Sequence, residues 1–146
     1  MIVVQVAGYS SSGKTEVCLR LAECATAEGP VGYVKSHHGE LERPFSDTGR
    51  MGAHASLRLL AGSDGTLRLG GRPTLEELVA EARSAGCAVV LVEGFKFAEG
   101  PKTWLRRDAQ DVPPQGVTGV ALDMLGAQAI SLEAQVLWRI VPRRER

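Results

Sequence analysis

The chain has 146 residues, 44% of them hydrophobic, and its 17 lysines and arginines balance 17 aspartates and glutamates for a formal net charge of +0. That length suits a single domain, 1–146, built on one sizeable core; the balanced charge leaves no excess for general binding to nucleic acid or to a membrane surface. No apolar run approaches the roughly 20 residues of a bilayer span and no basic stretch precedes the first apolar one, while Cys18, Cys24 and Cys87 form no CxxC pair. A cytoplasmic protein with reduced thiols is expected.

IVVQVA, Ile2 to Ala7, is short, β-branched and apolar at nearly every position, the pattern of a strand buried on both faces of a parallel sheet. From Lys14 to about Glu28, Val17, Leu19, Leu21, Ala22 and Ala25 recur near helical spacing, and Gly29-Pro30 ends the run. VGYVKS, Val31 to Ser36, predicts a second strand, and the aperiodic HHGELERPFSDTGR a long loop. SLRLLA and TLRLG flank GSDG, whose Asp64-Gly65 signals a hairpin, so a β-ribbon is inserted at about 56–70. PTLEELVAEARSAG offers Thr74 and Glu77 as a capping box, Leu75, Leu78, Val79 and Ala82 as an apolar stripe and Gly86 as the stop. AVVLVEG predicts a second fully buried strand with Glu93 exposed at its end. TWLRR and VTGVALD read as further strands, and SLEAQVLWRIV as a last helix capped by Ser131. The alternation predicts a three-layer α/β domain with a mostly parallel sheet and an inserted β-hairpin.

The chemistry concentrates in GYSSSGKT. Gly8, Gly13, Lys14 and Thr15 satisfy the pattern of a glycine, four free positions, then glycine, lysine and serine or threonine, lying between a buried strand and a helix. The glycines let the backbone curl so that amide groups, including those of Ser11 and Ser12, point at phosphate oxygens, and the helix adds its positive end. Lys14 would reach the β- and γ-phosphates, and Thr15 would offer its hydroxyl to Mg²⁺. A carboxylate is expected behind that ion's water shell or beside it, and Glu93, at the carboxyl end of a parallel strand, supplies one or is only a strand-terminal surface acid. Gly94 permits a close backbone approach or a sharp turn. The motif reads as the phosphate loop of a P-loop NTPase fold; the alternative is a plain serine-rich turn that ends a strand, with Lys14 solvated.

Three stretches together, GYSSSGKT, VKSHH (Val34 to His38) with the trailing SDTGR (Ser46 to Arg50), and LVEGFK (Leu91 to Lys96) followed by Pro101 and Lys102, resemble the MobB type of molybdopterin-guanine dinucleotide biosynthesis protein. The phosphate loop alone is shared by many NTPases; LVEGFK in its position is more particular. The resemblance implies a protein that binds GTP with Mg²⁺, hydrolyses it slowly at most, and assists a MobA-type nucleotidyltransferase that attaches GMP to molybdopterin. It also implies a homodimer whose β-ribbon contributes to the subunit contact. By position, Gly8 to Thr15 would be the phosphate loop, Glu93 and Gly94 the second nucleotide motif, and Asp47 to Arg50 a segment over the phosphate side. The family shows further histidines and a longer acidic stretch where this chain has Ser36, His37, His38 and Gly39, and the carboxyl-terminal portion here is short and arginine-rich.

Several residues between the motifs carry two readings each. His37 and His38 suit a polar loop at the mouth of a nucleotide or pterin site, an incidental surface pair, or a metal site. Neighbours on an extended chain point to opposite sides, which works against their sharing one ion. Lys35 adds charge for a phosphate or is a solvated strand end. Asp47 and Arg50 clamp a Mg²⁺-bound water and an anion, or pair with each other. Lys96 and Lys102 form a cationic rim near Glu93 or are ordinary surface lysines. Asp123 is the carboxylate best placed to accept from guanine, or merely ends a strand. No residue is assigned to catalysis. The alternative function is a P-loop small-molecule kinase, for which Arg106 and Arg107 are the nearest lid arginines.

Overall fold

The computed structural model describes residues 1–37, 54–55, 57–98, 102–107, 110–114 and 121–123. In chain order these form β1 (Ile2–Gly8), α1 (Lys14–Ala25), a 3₁₀ turn (Thr26–Glu28), β2 (Val31–Lys35), β3 (Arg58–Gly62), β4 (Gly65–Leu69), α2 (Leu75–Ser84), β5 (Val89–Glu93), β6 (Thr103–Arg106) and β7 (Ala121–Asp123). Two compact units result, Met1–Ser36 with Leu75–Arg146, and His37–Thr74. The helix predicted from Ser131 lies outside the described residues.

The first unit holds a sheet of order β2-β5-β1-β6-β7, parallel at every pairing. β1 and β5 sit inside it, which is why both are apolar almost throughout: their alternate residues must be buried on opposite faces. On one face Val4, Val6, Val89 and Leu91 pack with Val17, Cys18, Leu21 and Ala25 of α1, and burial of each large aliphatic side chain there is worth about 1.5–3 kcal/mol. The opposite parity on these strands carries Gln5, Ala7, Val90 and Val92, also buried. α2 packs on that second face at β2. A Cβ on Gly32 would lie 3.0 Å from Cys87 Sγ and 3.4 Å from Ala82 Cβ, so the glycine is what lets the helix end come this close. Helices on both faces complete the expected three layers.

The run expected from Lys14 to about Glu28 is α-helical to Ala25 and 3₁₀ from Thr26 to Glu28. The Thr26 hydroxyl donates to the Glu23 carbonyl at 2.8 Å, the chain tightens into the 3₁₀ turn, and Gly29 then turns away at φ 128° before Pro30, which has no amide to offer a helix. α2 stops where expected. Gly86 adopts φ 80°, its amide donates to Arg83 at 3.0 Å, and the Cys87 amide donates to Ala82 at 3.1 Å, the paired bonds of a Schellman ending. No described helix is long and apolar enough to cross a membrane.

In the second unit β3 and β4 form the expected antiparallel ribbon, with its turn at GSDG. The ladder closes on Gly62 opposite Gly65, leaving Ser63 and Asp64 as the central turn residues. An added Cβ at Gly62 would lie 2.8 Å from Asp64 Oδ1, so the aspartate side chain folds back over the glycine.

Candidate functional site

The site gathers at the carboxyl ends of β1, β2 and β5. Gly8 closes β1 at φ 151°, and a Cβ there would sit 2.6 Å from the Leu105 carbonyl oxygen and 2.6 Å from Ser12 Oγ. Ser11 takes φ 61° and Gly13 φ 84°, so the loop curls as its glycine spacing requires. Ser12 is 2% exposed and its hydroxyl has no partner among the described residues. No side chain caps the start of α1, which leaves the amino-terminal amides of the helix open toward the loop. The Lys14 ammonium donates to the Tyr9 carbonyl at 2.6 Å. Burial lowers its pKa, and the charges of Lys35 and Lys96 add to that, against the opposing pull of Glu93.

Glu93 is not the exposed strand-end acid of the sequence reading. It is 4% exposed, because β5 lies between β2 and β1 and its last residue is still flanked by Lys35 and Val6 in the ladders. Its carboxylate accepts from the Thr15 hydroxyl at 3.0 and 2.9 Å, from the Tyr33 hydroxyl, and from the Lys35 ammonium at 3.1 Å. Burial pushes its pKa up, but the bonds from Tyr33, Lys35 and Thr15 outweigh this and hold it below the usual carboxylate value. The Tyr33 phenol is pushed up, by burial and then by its bond to Glu93. The parallel register pairs Lys35 with Glu93, and the two-residue strand period brings Tyr33 to the same face.

Beyond Glu93 the chain turns sharply. Gly94 has φ 90° and Phe95 φ 49°; a Cβ on Gly94 would lie 3.1 Å from Ser36 Cβ. The Gln5 side-chain amide donates to both the Gly94 and Phe95 carbonyls at 3.0 Å, and the Gly94 amide donates to Val6 at 2.9 Å. The turn delivers the Lys96 ammonium over the Tyr9 ring, 4.9 Å from its centroid, a cation–π contact. Arg107 lies over the same ring at 5.5 Å and is gripped by Asp111 through two side-chain bonds of 2.9 Å. Lys102 does not join a cationic rim: it is buried and donates to the Lys96 and Ala98 carbonyls, tying the turn to the start of β6.

Gly8, Ser11, Ser12, Gly13, Lys14, Thr15, Lys35, Glu93 and Gly94 are thus neighbours. His37 is exposed and belongs to the second unit; His38, Asp47 and Arg50 lie outside the described residues. Asp123 ends β7 opposite Arg106, two strands from β1 at the same end of the sheet. Gln5 and Tyr33 escaped the sequence reading. Each left a signal: Gln5 is the one polar residue in IVVQVA, and Tyr33 stands two residues before Lys35.

The family model of molybdopterin guanine dinucleotide synthesis protein B, MobB, matches residues 3–122, a span that holds the loop, Lys35, Glu93 and Gly94. A probable molybdopterin-guanine dinucleotide biosynthesis adapter protein of Bacillus subtilis (strain 168) is 33% identical over 119 residues, covering 75% of this chain and 68% of its own. Among solved structures, a MobB protein homolog from Bacillus stearothermophilus aligns with a TM-score of 0.64 at 24% identity, over 97% of this chain and 98% of that one. Bacillus subtilis MobB aligns at 0.59 and 22%, over 92% and 97%. At these identities the structures establish the shared fold, and the family match and the curated relative establish membership. The chain belongs to the MobB family, whose members serve molybdopterin guanine dinucleotide biosynthesis.

Proposed function

We propose that this protein binds GTP with Mg²⁺ through Gly8–Thr15, Glu93 and Gly94 and assists a MobA-type nucleotidyltransferase in attaching GMP to molybdopterin. The observation that carries the reading is the Thr15 hydroxyl within 3.0 Å of a buried Glu93 carboxylate beside a glycine-bent loop. Oxygen donors of this kind suit a hard divalent cation. The loop bend that excludes a side chain at Gly8, the buried Ser12 hydroxyl without a partner among the described residues and the uncapped start of α1 suit phosphate oxygens. When bound, the cation neutralises phosphate charge. Lys14 supplies a point charge from the loop itself, and its present partner is only a neutral carbonyl, which a phosphate oxygen outcompetes.

Turnover is slow at most in this reading. A P-loop kinase would close an arginine over the transferred phosphoryl group; Arg107, one of the two nearest, is held by Asp111 and lies over the Tyr9 ring, which favours the accessory role. Asp123 is our choice for the guanine-reading carboxylate. The homodimer reading draws on the ribbon, where Leu57 and Leu59, alternate residues of one run, are 48% and 64% exposed, apolar surface that a second subunit would cover.

Calorimetric titration with GTP and ATP, each with Mg²⁺, on wild type and on Lys14→Ala tests the proposal. GTP should bind at least about tenfold more tightly than ATP, about 1.4 kcal/mol, and Lys14→Ala should lose most of that binding. Equal or tighter ATP binding refutes the guanine assignment, and unaltered binding by Lys14→Ala refutes the phosphate loop. In the partner assay, added protein should speed GMP transfer by the MobA-type enzyme.

A further inference from the structure

A carboxylate as buried as Glu93 needs compensating donors. Thr15 and Tyr33 each give one neutral hydroxyl; Lys35 alone brings a full positive charge. Its ammonium lies 3.1 Å from Glu93 Oε1 and 3.4 Å from Thr15 Oγ1, touching both residues that the proposed function gives to Mg²⁺. A divalent cation bound to the same two oxygens at about 2.1 Å would fall against the ammonium, and two unshielded positive charges at that spacing repel strongly. One must leave. The Lys35 side chain is 43% exposed, on a flexible four-carbon stem with water to move into, whereas Glu93 is buried on a central strand.

We propose that Lys35 is a built-in counter-ion which neutralises Glu93 and competes with Mg²⁺ for the Glu93–Thr15 pair, so that Lys35 sets how much Mg²⁺ the nucleotide site requires. The proposal rests on the Mg²⁺ reading above. Its structural basis is the strand register: Lys35 is the ladder neighbour of Glu93, so the competing cation is covalently tethered beside the carboxylate. A tethered competitor weakens an incoming ligand without ever occupying the phosphate loop.

The test follows GTP binding by calorimetry across a Mg²⁺ series, and binding of Mn²⁺ as a paramagnetic probe in the presence of GTP, for wild type, Lys35→Met, Lys35→Arg and Glu93→Gln. Lys35→Met keeps the stem and removes the charge. It should lower the Mg²⁺ and Mn²⁺ midpoints about tenfold, within the usual range of coupling between linked sites, while Lys35→Arg stays close to wild type. Lys35→Gln, which retains a hydrogen-bond donor to Glu93, replaces the methionine variant if that one does not fold, and should shift the midpoints the same way. Unchanged or raised midpoints in the folded charge-removing variant overturn the counter-ion role. If Glu93→Gln abolishes the metal dependence in that case, the Mg²⁺ reading stands without it. Wild-type GTP binding that ignores Mg²⁺, with Glu93→Gln equally indifferent, refutes both.

Discussion

Exchanging Gln5 for methionine keeps the length and nearly the volume of a side chain that is 8% exposed but removes its amide. That amide donates to the Gly94 and Phe95 carbonyls at 3.0 Å each. A net hydrogen bond of this kind is worth about 1 kcal/mol, and a fully buried carbonyl left without a donor costs about 1–3 kcal/mol. Gly94 and Phe95 are only half-buried, so water can reach their carbonyls in part, and the Phe95 carbonyl keeps the Ala98 amide at 2.9 Å; the expected loss for Gln5→Met is therefore that of the two net bonds, about 2 kcal/mol in total. At roughly 2–4 °C per kcal/mol for a chain near this size, Tm should fall by about 4–8 °C. A second effect follows from geometry. Together with the bond from the Ala98 amide, the two bonds help to hold Phe95 at φ 49°, a left-handed conformation uncommon for a non-glycine residue. Relaxation of Phe95 would carry Lys96 away from Tyr9, so nucleotide affinity should fall along with stability. Thermal melts by circular dichroism and GTP titrations on the same preparations check both. A Gln5→Met protein that melts within about 1 °C of wild type, well inside the expected shift, would refute the claim that Gln5 pins this turn.

Gly8→Ala should abolish measurable GTP binding and lower Tm, because the new methyl meets the Leu105 carbonyl at 2.6 Å and backbone cannot step aside; calorimetry and melting detect each loss. The side-chain and backbone bonds from Arg107 hold the Asp111 carboxyl down at about 2. A depressed folded value contributes stability above the unfolded carboxylate range, near about 4, and that contribution is lost as pH falls through the folded value. Asp111→Asn should therefore flatten the acid limb of stability between these two values in a circular-dichroism pH series. Cys18 is 2% exposed, and burial followed by the Glu93 charge pushes its thiol up to about 12. Iodoacetamide at mildly alkaline pH should modify Cys24 well before Cys18, with the difference vanishing in denaturant, as peptide mass spectrometry would record.

The local elements were legible wherever one physical requirement acted over a few consecutive residues. β1 and β5 announced themselves because a strand covered on both faces has no polar face to display, and Gly86 marked the end of α2 because that turn needs a left-handed residue. One departure was also local: apolar spacing could not report that the Thr26 hydroxyl would take the Glu23 carbonyl and tighten the end of the run into a 3₁₀ turn.

The phosphate loop was legible for the same reason, since its glycines, lysine and threonine are contiguous. The surroundings of Glu93 were not, because they depend on strand order. Thr15 and Tyr33 reach Glu93 across 78 and 60 residues, and nothing in VGYVK or VVLVE says which strand lies beside which. Had β2 paired directly with β1, Glu93 would have taken the edge and met water on one side, as an exposed strand-end acid. The order β2-β5-β1 instead slots a later strand between the first two, which buries Glu93 and at the same time sets Lys35 and Tyr33 beside it. Burial of the acid and supply of its donors are therefore one event with one cause. A change that frees β2 from β5 would expose Glu93 and remove its counter-ion together, whereas the loop, built on β1 and α1, would keep its bend.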